Sequence, residues 1–166
     1  MTNPRYKLCV LVFSMTTACF IAAVGFAQKK SAIPYPAEYR SWNLVKTMVI
    51  FSNQHPLFNQ FGGLHNVYVN DVGLPSLQEG RAYRDGSVFV FDLMDIRTYQ
   101  GAIETRGRKF IGVMKKDSKL FPKTGGWGFE VFKGNEQTGS LEDMQSCFDC
   151  HAKQKRVDYV FSTYTR

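Results

Sequence analysis

Cys147-Phe148-Asp149-Cys150-His151 sets two thiols three positions apart and an imidazole directly after the second. This is C-x-x-C-H, the attachment signature of a c-type haem. In that chemistry two thiols add across the two vinyl groups of the macrocycle. The histidine that follows then falls under the iron as its axial ligand. Helical spacing puts positions 147, 150 and 151 on one face, at i, i+3 and i+4. A structural zinc site needs four ligands, and past residue 27 the chain adds only His55 and His65, with no second pair at ligand spacing. A thioredoxin-like redox pair needs a βαβ context that the sequence lacks. In an oxidising compartment the two thiols could close on each other, but the adjoining histidine points to haem. The motif therefore predicts one covalently attached haem c and its iron, held by Cys147 and Cys150 and ligated by His151.

The other end of the chain fits that chemistry. Arg5 and Lys7 precede an uncharged run, Leu8–Val24, and Gly25-Phe26-Ala27 supplies small residues at its close. This pattern predicts a signal peptide over residues 1–27, with export to the periplasm and a haem domain over residues 28–166. The apolar run also approaches the length of a membrane anchor, the alternative to cleavage. Removal of the segment takes Cys9 and Cys19 with it and leaves only the motif thiols. The formal charge of +7 invites a nucleic-acid reading. Export turns that charge toward an acidic protein or a membrane surface instead.

The 166 residues suit one domain. With 44% hydrophobic and 21% charged residues, disorder, collagen and a coiled coil are excluded. Phe is abundant, at 14 residues, which gives aromatic bulk to bury or to set around something flat. The motif lies near the C-terminus, so the elements that position it must come earlier. Tyr39, Trp42 and Val45 or Lys46 recur at helical spacing and predict a helix over Ala37–Met48. Short apolar or alternating segments follow, at Leu64–Val69, Ser87–Leu93, Phe110–Met114, Trp127–Phe132 and Asp158–Tyr164. Arg84-Asp85-Gly86 and Lys133-Gly134-Asn135 are turn signals. A further helical piece is expected over Pro75–Arg81. Another is expected over Leu141–Ala152, capped by Ser140, to carry the motif. The expected class is α+β, mainly antiparallel sheet with a few short helices, and not a four-helix bundle.

No residue has a clear claim to the far side of the iron. The Met and His residues past residue 27, outside the motif, are Met48, Met94, Met114, Met144, His55 and His65. Met144 is too near the motif to reach across a haem. Met94 alternates away from Phe89 and Phe91. Met114 reads as strand core, and His55 as a surface or turn-capping residue. An open axial position follows as a serious option.

Several stretches resemble the cytochrome P-460 family. They are Tyr35-Pro36-Ala37-Glu38-Tyr39-Arg40-Ser41-Trp42, Arg84-Asp85-Gly86-Ser87-Val88, Ile111-Gly112-Val113-Met114, Gly125-Gly126-Trp127-Gly128-Phe129, Cys147–His151 and Asp158-Tyr159-Val160-Phe161. The resemblance implies a small exported β-rich homodimer with one c-type haem. Enzymatic members oxidise hydroxylamine, using a lysine joined to the haem ring and a distal glutamate. Here the lysine position holds Phe91 and the glutamate position holds Met114. Those departures resemble the cytochrome c-prime-beta branch, whose five-coordinate haem is capped by two phenylalanines and binds NO and CO. The resemblance makes Phe91 one cap and Phe61 the other, with Phe58 in reserve. His65, expected to share a strand face with Phe61 and Gly63, becomes the polar group beside the pocket. The ordinary reading of each single Phe is core packing.

A gas-binding protein that scavenges, carries or senses NO is thus favoured over an enzyme. Two alternatives stay open. One is a hydroxylamine oxidoreductase that uses Lys109, Lys115 or His65 for protons. The other is a six-coordinate electron carrier ligated by Met114, with Lys153, Lys155 and Arg156 facing an acidic redox partner. The same three basic residues also read as an ordinary solvated face.

Overall fold

A computed structural model describes residues 31–165. The signal segment expected over residues 1–27 lies outside the described residues. Alternation is clearest in the segment that starts at Gly63. Gly63, His65, Val67 and Val69 are buried, while Leu64, Asn66 and Tyr68 between them are partly exposed. That period of two makes a strand with two distinct faces. Five strands form: β1 (Asn43–Ile50), β2 (Gly63–Val69), β3 (Val88–Tyr99), β4 (Ala102–Lys116) and β5 (Trp127–Lys133). They pair antiparallel in the order β1-β2-β3-β4-β5, an open meander. Three short helices accompany them, α1 (Phe58–Phe61), α2 (Leu74–Glu79) and α3 (Met144–His151). The expected class is correct: mainly antiparallel sheet with few helices, and no bundle. Among the described residues no helix is long and apolar enough to cross a membrane.

Three expectations fail. Residues 37–48 are not a helix; a single 3-10 turn at Tyr39–Ser41 gives way to β1. Val45, Thr47, Val49 and Ile50 are β-branched and suit a pleated strand, and β2 offers the partner. Asp158–Tyr164 is not a strand, because Asp158 and Tyr159 both take positive φ (50° and 68°), which extended pairing does not allow. The motif helix starts at Met144, and its cap is Asp143 rather than Ser140. The Asp143 carboxylate accepts from Gln145 N at 2.9 Å and Ser146 N at 3.3 Å. The Ser140 hydroxyl instead donates to the Val131 carbonyl at 3.0 Å.

Both faces of the sheet are covered. One packs Val67, Val69, Phe89, Met114, Trp127 and Phe129 against Leu77, Tyr83 and Val160, and α3 lies here through Met144, Cys147 and Phe148. The other packs Val90, Ile111, Val113 and Phe132 against Ile33, Tyr39 and Phe121. A polar knot pins the lead segment to this second face. Tyr39 donates its phenol proton to Asp92 at 2.6 Å, and Arg108 Nε meets the other carboxylate oxygen at 2.7 Å. Burial, with Asp92 adding to it, keeps the Tyr39 phenol protonated. The Asp92 and Arg108 side chains are only 5% and 7% exposed. Asp92→Ala strands the guanidinium without its partner, and loss of one member of a buried pair costs about 3–5 kcal/mol. The expected result is a lower urea midpoint at unchanged m-value, measured by equilibrium unfolding.

Candidate functional site

Asp143 starts α3, and the helix then carries Cys147, Cys150 and His151 in its last turns. Both thiols are free; Cys147 is half-buried and Cys150 exposed. Burial pushes the Cys147 thiol above its usual value. Among the described residues no group of three His, Cys, Asp or Glu side chains could hold a metal ion on its own.

His151 is held on three sides. Its Nδ1 lies 2.7 Å from the Tyr159 carbonyl oxygen. A carbonyl only accepts, so Nδ1 carries the proton and Nε2 is left with a free lone pair. Its ring sits 4.9 Å from Phe129 and 5.0 Å from Phe161, centroid to centroid. Burial lowers its pKa, against the opposing pull of the Tyr159 carbonyl. The imidazole is thus neutral, the form that ligates iron.

Phe129, beside His151, pairs with Met114 across β4 and β5, and Gly112 pairs with Phe91 across β4 and β3. All four lie on the face that α3 covers. Gly112 leaves a notch between Phe110 and Met114, where an added Cβ would come no nearer than 3.7 Å to Phe91. Beyond that notch is an aromatic cluster. The Phe61 ring meets Phe91 at 5.8 Å and Phe110 at 6.3 Å, and Phe91 stacks on Phe110 at 5.9 Å. His65 lies 4.5 Å from Phe91 with the rings tilted by 31°.

The structure therefore brings together Phe61, Phe91 and His65. It adds Phe110, which the sequence reading did not single out. The period of two through Phe110, Gly112 and Met114 was the signal that could have found it. Phe61 arrives differently than expected: it ends α1 and is not on the strand with Gly63 and His65. Phe58 packs over Gly62 instead. His55 is exposed, and its Nδ1 accepts from Leu57 N at 3.2 Å, as a turn cap. Lys115 pairs with Val88 on the opposite face of the sheet. Lys109 donates to the Gly62 carbonyl at 3.0 Å, next to Phe61.

His65 is 3% exposed, and its Nδ1 has no hydrogen-bond partner among the described residues. Burial, helped by the Lys46 charge, lowers its pKa to about 4. The folded state thus binds fewer protons than the unfolded chain between pH 6.5 and 4. Stability from this group is full above the unfolded pKa and is lost as pH falls toward the folded one. Each pH unit in that window removes about 1.4 kcal/mol, about 3 kcal/mol in all. Urea midpoints of the wild type should fall steeply between pH 7 and pH 4, and His65→Gln should flatten that slope.

These residues fit a haem: two free thiols and an imidazole with one open nitrogen, on one helix laid against an aromatic sheet face. The family model described as Cytochrome P460 matches residues 36–162. No curated protein matches the chain. The match takes in all five strands, α3 and the Tyr159 carbonyl that holds His151. The chain belongs to the cytochrome P460 family, and is a cytochrome whose cofactor is haem iron.

Proposed function

We propose that this chain is an exported, single-haem c-type cytochrome that takes up NO and CO at an open axial position, and that it scavenges, carries or senses them. Cys147 and Cys150 would hold the haem covalently and His151 would ligate its iron, which when bound would offer a site for a small neutral ligand. The observation that carries the reading is the composition of the sheet face under α3. Its strand positions are Lys46, Met48 and Ile50, then Gly63, His65, Val67 and Val69, then Phe89, Phe91 and Leu93, then Phe110, Gly112, Met114 and Lys116, then Trp127, Phe129 and Val131. No carboxylate stands among them; Asp95, next in the alternation of β3, is partly exposed, and Asp158, at the Trp127 end of this face, is tied to Lys116. The buried carboxylates of β3 and β5, Asp92 and Glu130, belong to the other face. Both are engaged, Asp92 with Arg108 and Tyr39, and Glu130 with the Val131 and Leu141 N–H groups.

Oxidation of hydroxylamine requires a base for N–H protons. Of the titratable groups on that face, Lys116 is tied to Asp158, Lys46 belongs to the edge strand, and His65, the one beside Phe91, is buried and neutral. Phe91 and Phe61 instead exclude water and present apolar ring edges. Bound dioxygen gathers negative charge and wants a hydrogen-bond donor, whereas distal polarity matters less for NO and CO. Phe91 also stands where a lysine would join the haem ring, so the macrocycle should be an ordinary haem c.

The optical spectrum tests this reading. The ferrous protein should be five-coordinate and high-spin and should shift on addition of CO or NO. After denaturation in pyridine it should show an ordinary c-type band, and its mass should be polypeptide plus one haem. A red-shifted ferrous band of the cross-linked type, or a peptide joined to the ring through Lys109 or Lys115, would overturn it in favour of the enzyme.

A further inference from the structure

The carbonyl that accepts the His151 proton belongs to Tyr159, and the chain there adopts an unusual path. Asp158 and Tyr159 are consecutive and both left-handed, with φ of 50° and 68°. Side chains with a Cβ disfavour that region. Such residues persist only where their surroundings over-determine them.

Here the Asp158 carboxylate supplies the determination. It accepts from Lys116 Nζ at 2.7 and 3.0 Å, from the Tyr83 backbone N–H at 2.7 Å and from Trp127 Nε1 at 3.3 Å. Lys116 also donates to the Gly125 carbonyl at 2.9 Å. The Tyr159 ring lies against Gly125, where a Cβ would overlap it. Tyr159 N donates to the Gln154 carbonyl at 2.9 Å. The Lys116 and Asp158 side chains are 9% and 13% exposed. A buried ion pair is a poor source of net stability, and a conformational role is the better reason to keep one.

We propose that the Lys116–Asp158 pair is a positioning device for His151: it fixes the left-handed step at Asp158 and Tyr159, and so aims the Tyr159 carbonyl at Nδ1. A held Nδ1–H makes the imidazole a stronger donor through Nε2, and loss of such an outer partner typically weakens metal binding about tenfold or more. The stronger donor favours ferric over ferrous iron and keeps the potential low. This inference rests on the reading of the motif as a haem site.

The test uses the haem-loaded protein. Single substitutions would change the charge near the iron, so the decisive variant is the double Lys116→Met/Asp158→Ala, which leaves net charge unaltered. Apolar replacement of a whole buried pair is commonly tolerated. The expected result is a reduction potential raised by about 59 mV, the equivalent of a tenfold loss of ferric preference. The ferrous iron–histidine stretching band should move to lower frequency in resonance Raman spectra. A folded, haem-loaded double variant with the wild-type potential and band overturns the inference, as does a lowered potential. If that variant does not fold, Lys116→Met alone is read by its band, and an unmoved band is equally fatal. A wild-type protein that holds no covalent haem brings down the proposed function, and this inference with it.

Discussion

Joint replacement of Cys147 and Cys150 by alanine should abolish covalently held haem, while His151→Ala should leave attachment possible and perturb the iron. The two outcomes differ because the groups do different chemistry from one helix. The thiols, at i and i+3, would form the bonds to the macrocycle; the imidazole, at i+4, would ligate the metal. The measurement is extraction of denatured protein into acidified organic solvent. Haem should stay with the wild-type chain and with His151→Ala, and none should stay with the double cysteine variant. A second effect follows from the packing. No residue of α3 is fully buried, and an isolated helix that short is unstable in water. Contacts from Met144, Cys147 and Phe148 hold it to the sheet. A bound haem adds to these and stabilises the folded chain. The double cysteine variant should therefore melt at a lower temperature as well. Wild-type protein that releases its haem to the solvent would end the c-type reading.

The motif was legible because attachment chemistry dictates order and spacing within five consecutive residues. β2 was legible because its burial alternates, and the strands after it because their apolar residues fill segments packed on both faces. The β1 strand was not. It is an edge strand whose exposed positions include Leu44 and Met48, so its apolar residues do not alternate cleanly. The spacing of Tyr39, Trp42 and Val45 then imitated a helix. The segment after Asp158 was misread for another reason. Its left-handed step is set by Lys116, Tyr83 and Trp127, partners 31 to 75 residues away in sequence. No local pattern records such bonds. The aromatic cluster lies between these cases. Phe91 could be placed by its strand, but Phe61 ends a helix of one turn, and only the fold brings its ring to Phe91.

Phe91→Ala should quicken CO binding by the ferrous protein about two- to tenfold and admit water or small anions to the ferric iron. Phe91 is the hub of its cluster, touching Phe61, Phe110 and His65. A ligand entering on this side must displace a ring held by those neighbours. Pushing an aromatic side chain off its rotamer costs about 0.5–1.5 kcal/mol, and about 1.4 kcal/mol of barrier is a tenfold rate. Phe61→Ala removes one neighbour and not the hub, so its effect should be smaller and in the same direction. Phe91→Ala should also lose stability by about 3 kcal/mol, the low end for a Phe deletion because the ring is only half-buried. Rates must therefore be compared below the onset of unfolding, by stopped-flow or flash photolysis. Met114 provides the opposing control. It is 7% exposed and pairs with Phe129, whose ring packs at a tilt against His151. If its thioether only fills the core, Met114→Ala leaves the ferrous spectrum five-coordinate and merely destabilises the fold. A wild-type ferrous protein already six-coordinate and low-spin, made five-coordinate by Met114→Ala, would identify Met114 as an iron ligand. The chain would then be an electron carrier, and Phe91 would lose its place as the gate.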